Sequence, residues 1–165
     1  VADPGSQPLL LQAAERAEAG DFAQAAELSQ QLLSRDEADV DALFLLGRSL
    51  AMLDRNDEAI EALEKAAKAQ PDDIEVFNLL GHLLYHSSRH EESKNAFSRC
   101  LELNPDHVEA MRQMANLMLG SDQANALHLF KRAYALAPDH GGLLFDYAWA
   151  MKYSVGDTDM GTNLF

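Results

Sequence analysis

A 34-residue pattern recurs along this chain and constrains its fold more than any other feature of the sequence. It is clearest in residues 74–107, which read IEVFNLLGHLLYHSSRHEESKNAFSRCLELNPDH. Apolar or small residues fall there in two series, Phe77, Leu80, Gly81 and Leu84, then Ser93, Phe97, Cys100 and Leu101. The spacing within each series is that of one face of an α-helix. Because the polar residues 87–89 separate the two series, the pattern predicts two short amphipathic helices joined by a tight turn.

Prolines set the register of the pattern. Pro71 and Pro105 stand 34 residues apart, and Pro138 follows after 33 more. Since proline cannot continue a helix, each of them ends one repeat. A helix pair of this size cannot bury its apolar stripe alone, so neighbouring pairs must stack. We therefore predict an all-α chain, an α-α superhelix of stacked antiparallel helix pairs without a sheet.

The pattern also divides the chain. We predict a flexible lead-in at residues 1–7, repeats at 8–39, 40–73, 74–107 and 108–140, a partial fifth repeat at 141–153 and a truncated tail at 154–165. The first residue is Val1 and the last residues carry no helix-stop signal, which indicates an excerpt or a processed form. Small residues at fixed places, such as Gly47 opposite Ala59, are expected to let paired helices approach closely.

Composition excludes several classes of partner. Hydrophobic residues make up 47% of the chain, which suffices for a core. The formal net charge of −14 repels phosphate backbones and anionic lipid, so we expect no nucleic acid and no membrane insertion. No apolar run approaches the roughly 18 to 20 residues that span a bilayer. A single cysteine excludes an internal disulfide framework and leaves the compartment open, with the cytoplasm favoured.

The residues of the third repeat carry a family resemblance. The series Phe77, Leu80, Gly81, Leu84, Ser93, Phe97, Cys100 and Pro105 resembles the tetratricopeptide-repeat pattern of bulky residue, Leu, Gly, bulky residue, then Ala, aromatic, Ala and Pro. The resemblance covers residues 8–153, as four repeats and a partial fifth. It implies a superhelix of helix pairs whose first helices line a concave groove that holds peptides or partner proteins.

The resemblance also implies which side chains line that groove, namely first-helix positions one turn apart and off the core stripe. On this chain they are Phe44, Arg48, Met52, Asn78, His82, Tyr85, His86, Arg112, Asn116, Phe145, Trp149 and Lys152. This set has no acidic member, so it predicts binding of a segment with acidic groups. We expect Asn78 and Arg112 to be solvated, so that their replacement changes stability little. In the alternative interpretation, Phe44, Phe145 and Trp149 pack against neighbouring repeats.

One row of residues is a candidate metal site. His82, His86 and His90 are spaced i, i+4 and i+8, and the first two share a helix face. No acidic residue at a helical spacing completes a ligand set, so we interpret the row as polar groove residues. Cys100 stands at a core position and is expected to be a buried, inert thiol. We find no phosphate-binding loop and no nucleophile elbow, and we predict neither catalytic residues nor a cofactor.

The clamp by which some members of this family hold chaperone C-termini is not matched. It needs Lys and Asn one turn apart, then Asn, then Lys and Arg in the third repeat. The nearest frame here supplies Asn78 and His82, then Gln113, then Gly142 and Asp146. A chaperone-cofactor role is therefore not supported.

The sequence leaves two functions open. The first is a non-catalytic protein-interaction scaffold that binds a peptide or partner protein in its groove. The alternative rests on residues 151–165, MKYSVGDTDMGTNLF, which resemble the junction between a bacterial repeat array and a sulfotransferase-like domain. In that case the chain is the docking arm of a larger transferase. Residues 142–153 are apolar almost all round, which predicts self-association through this end.

Overall fold

The computed structural model describes residues 7–154, and these form nine α-helices and no strand. The helices are α1 Gln7–Glu18, α2 Phe22–Leu33, α3 Val40–Met52, α4 Asn56–Ala69, α5 Ile74–His86, α6 His90–Leu103, α7 Val108–Met118, α8 Gln123–Leu136 and α9 Gly141–Ser154. Four helix pairs and the first helix of a fifth supply this number, and the all-α prediction is confirmed. The lead-in and the tail lie outside the described residues, apart from Gln7 and Ser154.

The chain divides into two compact units, one up to Ser93 and one from Lys94 onward. The division falls inside α6 rather than between repeats. In the N-terminal unit, α1 packs on α2, α3 packs on α4, and α3 also neighbours α1 and α5. In the C-terminal unit, α8 packs on both α7 and α9, and α7 neighbours α9. First helices of successive repeats therefore lie side by side within each unit.

Small residues set the distance between paired helices, as the sequence predicts. A Cβ added at Gly47 would lie 2.7 Å from Leu63 Cγ and 3.3 Å from the Ala59 carbonyl oxygen, both on α4. The first distance is shorter than side-chain carbons approach other atoms and the second is tighter than most contacts, so a larger residue here would force Leu63 or the helices α3 and α4 to shift. In the next pair, the Ser93 hydroxyl donates to the Gly81 carbonyl oxygen at 2.8 Å. Serine at this buried position thus gains a hydrogen bond that alanine could not make.

The C-terminal unit has its own apolar core. Its fully buried members are Met111, Ala115, Ala126, Phe130, Ala133, Leu143 and Ala150. Tyr147 closes the core from α9, since its ring stacks on Phe130 at 5.9 Å and tilts against Tyr134 at 6.0 Å between centroids. Burial among these rings raises the pKa of Tyr147 above its ordinary value, and the charge of Tyr134 adds to the rise. Residues of α9 therefore belong to the same core as those of α7 and α8.

The turns inside the helix pairs repeat one backbone conformation. Gly20, Asp54 and Ser88 have φ values of 80°, 58° and 60°, and they are 34 residues apart. Left-handed φ costs a residue with a Cβ roughly 1 kcal/mol, whereas glycine adopts it freely. The fourth repeat is one residue shorter, and no described residue of its turn at 119–122 has a positive φ. The deletion thus coincides with the loss of the left-handed position.

The first helices begin with two kinds of cap. The Asp39 and Asp73 carboxylates accept from backbone N–H groups in the first turns of α3 and α5. At α7 and α9 the acceptor is a histidine Nδ1: His107 accepts from Ala110 N and His140 from Leu143 N, each at 3.1 Å. An imidazole accepts at Nδ1 only while that nitrogen carries no proton. The caps of the C-terminal unit therefore depend on neutral histidines.

We predict that Gly20→Ala destabilises the protein by about 1 kcal/mol, because alanine at φ 80° is strained. Gly120→Ala is the matched control, since neither glycine has an atom within 4 Å of an added Cβ and Gly120 is not left-handed. Ser88→Gly should conversely stabilise by about 0.5 to 1 kcal/mol. Urea denaturation measures all three. Equal losses for the two alanine variants would contradict this account of the turn.

We also predict that the His107 cap stabilises α7. His107→Ala should destabilise the protein by about 1 kcal/mol, because it removes the acceptor of the Ala110 N–H group. His107→Asp should keep wild-type stability within about 0.5 kcal/mol, since a carboxylate caps α5 in the same way at Asp73. Urea denaturation of the three proteins measures the difference. Equal stability of His107→Ala and wild type would refute this role of the imidazole.

Candidate functional site

Seven of the twelve predicted groove residues lie on two neighbouring helices of the N-terminal unit. We call them the N-terminal surface: Phe44, Arg48 and Met52 on α3, and Asn78, His82, Tyr85 and His86 on α5. Within each helix these positions are about one turn apart, so they form one stripe. None of the seven is buried, and Met52 is the most open apolar member, with 59% of its surface exposed.

Two features of the N-terminal surface bear on binding. The Tyr85 ring meets His86 edge-on at 5.6 Å between centroids and His90 at a tilt at 5.5 Å. Asn78 carries a buried Oδ1 that accepts no hydrogen bond from any described residue. An unmet buried acceptor costs roughly 1 to 3 kcal/mol, so this amide is held in place at an energetic cost.

The other five predicted groove residues lie on two neighbouring helices of the C-terminal unit. We call them the C-terminal surface: Arg112 and Asn116 on α7, and Phe145, Trp149 and Lys152 on α9. Phe145 is 61% exposed and Trp149 49% exposed, so the structure does not bury these two rings between repeats. Phe44, in the N-terminal unit, is half-buried.

Arg112 is clamped between two carboxylates. Its Nε and one terminal nitrogen donate to the two oxygens of Glu109 at 2.9 and 2.7 Å, which is a bidentate pair within α7. Its other terminal nitrogen donates to Asp146 Oδ2, on α9, at 2.5 Å. Asn116 Nδ2 donates to the same oxygen at 2.9 Å, and Gln113 donates to Glu109 at 2.8 Å. The network joins the two helices of the C-terminal surface.

This network corrects two expectations for Arg112. Its side chain is only 19% exposed, so it does not lie on a solvated face. Glu109 and Asp146 supply the acidic groups that the predicted set lacked. The bond to Glu109 raises the pKa of Arg112 above its ordinary value against the opposing effect of burial, and Asp146 contributes further. The guanidinium is therefore charged and already paired, which makes it a poor anchor for an acidic partner.

The sequence predicts the ion pair of Arg112 with Glu109 more readily than its ion pair with Asp146. Glu109 precedes Arg112 by three residues, a spacing at which opposite charges pair on a helix. Asp146 follows Arg112 by 34 residues, and only the repeat register relates the two. Asp146 stands one position after Phe145. The predicted groove positions are one helix turn apart, so they do not include Asp146.

Comparison with known proteins identifies the family. Two tetratricopeptide-repeat models match the sequence, one over residues 16–83 and one over residues 74–107. The chain belongs to the tetratricopeptide-repeat family. The family prediction and the all-α solenoid class are thereby confirmed. No curated protein matches this sequence.

Solved structures with this tetratricopeptide-repeat fold are similar at low identity. MamA, 19% identical, gives a TM-score of 0.84 over 93% of this chain and 90% of that chain. MamA from Desulfovibrio magneticus RS-1, 13% identical, gives 0.89 over 100% of this chain and 93% of that chain. YrrB, a TPR protein with an unusual peptide-binding site, is 19% identical and gives 0.83 over 95% of this chain and 84% of that chain.

Three further features of the chain are the histidine row, the single cysteine and the length of its apolar helices. Within residues 7–154, no group of three or more His, Cys, Asp or Glu side chains is arranged to hold a metal ion, and His82, His86 and His90 form no such group. Cys100 is a buried free thiol, as predicted. In the same part of the tetratricopeptide-repeat chain, every helix is too short or too polar to span a bilayer.

We predict that Arg112→Ala destabilises the protein by about 1 to 3 kcal/mol, because it leaves Glu109 and Asp146 half-buried without their cation. Arg132→Ala is the matched control: Arg132 pairs with Asp106, but both side chains are largely exposed, at 43% and 66%. That loss should stay below about 0.5 kcal/mol. Denaturant titrations of both variants at one pH measure the difference. If the two losses were the same, the clamp would contribute no more than a surface ion pair.

Proposed function

We propose that this tetratricopeptide-repeat chain is a non-catalytic scaffold that binds partner-protein segments at its N-terminal surface and at its C-terminal surface. Its fold and family support a protein-interaction scaffold, and binding at these surfaces is the finer part of the proposal. It assigns no reaction, because Arg112, Glu109 and Asp146 are bound to one another rather than arranged around a nucleophile.

The observation that carries the proposal is where large apolar side chains meet solvent. Six are exposed among the described residues: Leu11, Met52, Leu53, Leu136, Phe145 and Trp149. Three of them, Met52, Phe145 and Trp149, stand at the predicted groove positions. Single exposed apolar residues are ordinary, but aromatic ones collected on one helix face are typical of a surface that a partner covers.

The N-terminal surface adds the polar part of recognition. Arg48 is a charged donor, His82 and His86 can each donate through a ring N–H, and Asn78 can both donate and accept. We propose that this surface holds a backbone stretch by the amide and an acidic side chain by Arg48. A peptide-binding site is also what YrrB, a protein of the same fold, possesses.

The transferase alternative and self-association through α9 remain predictions. The transferase alternative rests on residues 151–165, of which all after Ser154 lie outside the described residues. Self-association would use the exposed rings of α9, but it brings together two chains of formal charge −14. Sedimentation velocity over a range of chain concentrations separates a self-associating chain from a monomer.

We predict that Met52→Ala and Asn78→Ala each weaken partner binding about tenfold or more, because they remove an apolar contact and a backbone-binding amide. The partner is captured on the immobilised chain from a lysate of the source cells, identified, and titrated by calorimetry. Leu136→Ala and Asn95→Ala are matched controls, since both residues are exposed on second helices. Met52→Ala and the two controls should unfold with wild-type stability within about 0.5 kcal/mol. Asn78→Ala should be at least as stable as wild type, because it removes the unmet buried acceptor. Unchanged affinity for both test variants would remove the site from the N-terminal surface.

A further inference from the structure

Asp146 has one carboxylate oxygen engaged and one available. Both hydrogen bonds that it accepts, from Arg112 and from Asn116, reach Oδ2. Oδ1 accepts none from the residues that the structure describes, and the side chain is 20% exposed. A half-buried carboxylate oxygen without a donor is a strong acceptor, and a cationic N–H group is its best partner.

Two exposed rings lie near this carboxylate in α9. Trp149 follows Asp146 by three residues and Phe145 by four, and both spacings make neighbours on a helix surface. Aromatic faces attract ammonium and guanidinium groups, and they also pack against the alkyl stems that carry those groups. Ring, carboxylate and ring together suit an arginine or lysine side chain better than they suit an acidic one.

The cations nearby do not reverse this preference. Arg112 is held by Glu109 and Asp146, so the three side chains together keep one net negative charge. His140 Nε2 lies 3.8 Å from Glu109, whereas its other ring nitrogen, Nδ1, accepts the cap hydrogen bond from Leu143 N. Lys152 follows Asp146 by six residues, which is about 9 Å along the helix axis. The formal charge of −14 further favours the approach of a basic partner and opposes that of a second copy.

We propose that the C-terminal surface binds a basic side chain of a partner segment, with Asp146 Oδ1 as the acceptor and Phe145 and Trp149 as the packing surface. This inference rests on the proposed scaffold function and names the chemistry of its partner. It assigns to the C-terminal surface the opposite preference from the N-terminal one.

Trp149 is the sole tryptophan of the chain, so its fluorescence reports on this surface alone. Two peptides of equal length, one alternating arginine with leucine and one alternating glutamate with leucine, are titrated into the full chain. The basic peptide should shift the Trp149 emission with saturation, and the acidic one should bind at least tenfold more weakly. Asp146→Asn should weaken the basic peptide about tenfold, as loss of a charge-assisted hydrogen bond does.

Asp106→Asn is the matched control, because it makes the same change of net charge at an exposed carboxylate. Asp106 pairs with Arg132 of α8. It should leave the affinity of the basic peptide unchanged. Equal weakening by both variants would show only the general field of an acidic chain and would overturn the inference. So would tighter binding of the acidic peptide, absence of a Trp149 response to either peptide, or a dimer in sedimentation whose formation alone shifts the emission.

These outcomes are separate from a failure of the proposed function. The scaffold proposal is tested with the captured partner and with Met52 and Asn78, which lie on the N-terminal surface. If those substitutions weaken the partner while the basic peptide fails here, the scaffold stands and only the basic preference of the C-terminal surface is lost. If the basic peptide binds as expected while those substitutions have no effect, the N-terminal assignment alone is wrong.

Discussion

The rest of this structure depends on the close contact between paired helices. At Gly47 the absence of a Cβ lets Leu63 and Ala59 lie directly against α3. At Ser93 a hydroxyl replaces a methyl group and bonds to the backbone of the partner helix. Since small residues occupy the inner side of each pair, large ones such as Phe130 are left to fill the space toward the next helix, where they are fully buried. The outward face of each first helix is therefore available for contact with a partner.

Pairing inside the chain decides what that outward face offers. A formal charge of −14 describes the field that a partner meets at a distance, but contact chemistry is local. Arg112 is the clearest case, because its bonds to Glu109 and Asp146 convert a nominal cation into part of an acceptor surface. Arg48 and the histidines leave the N-terminal surface with donors instead. One chain can therefore present two surfaces of different polarity at equivalent repeat positions.

The helices pack in the same way in successive repeats, whereas the turn residue and the helix cap vary. A left-handed turn residue is glycine, aspartate or serine at three equivalent places and is missing from the shortened fourth turn. The cap of a first helix is an aspartate in the N-terminal unit and a histidine in the C-terminal unit. Each device meets the same backbone requirement, a tight turn or an acceptor for free N–H groups. They differ in how they respond to substitution, since glycine adopts the left-handed turn without strain and aspartate or serine does not.

Sequence alone determined the helices, their pairing and the family, because apolar spacing and proline register are local signals that repeat in every unit. The family resemblance also predicted groove positions at Phe145 and Trp149, since residues one turn apart share a helix face. Only the tertiary structure decided whether those rings are exposed or buried, which depends on the helices that pack beside α9. It alone brought Asp146 to Arg112 across 34 residues, because an ion pair between helices depends on rotamers and register that no single helix specifies.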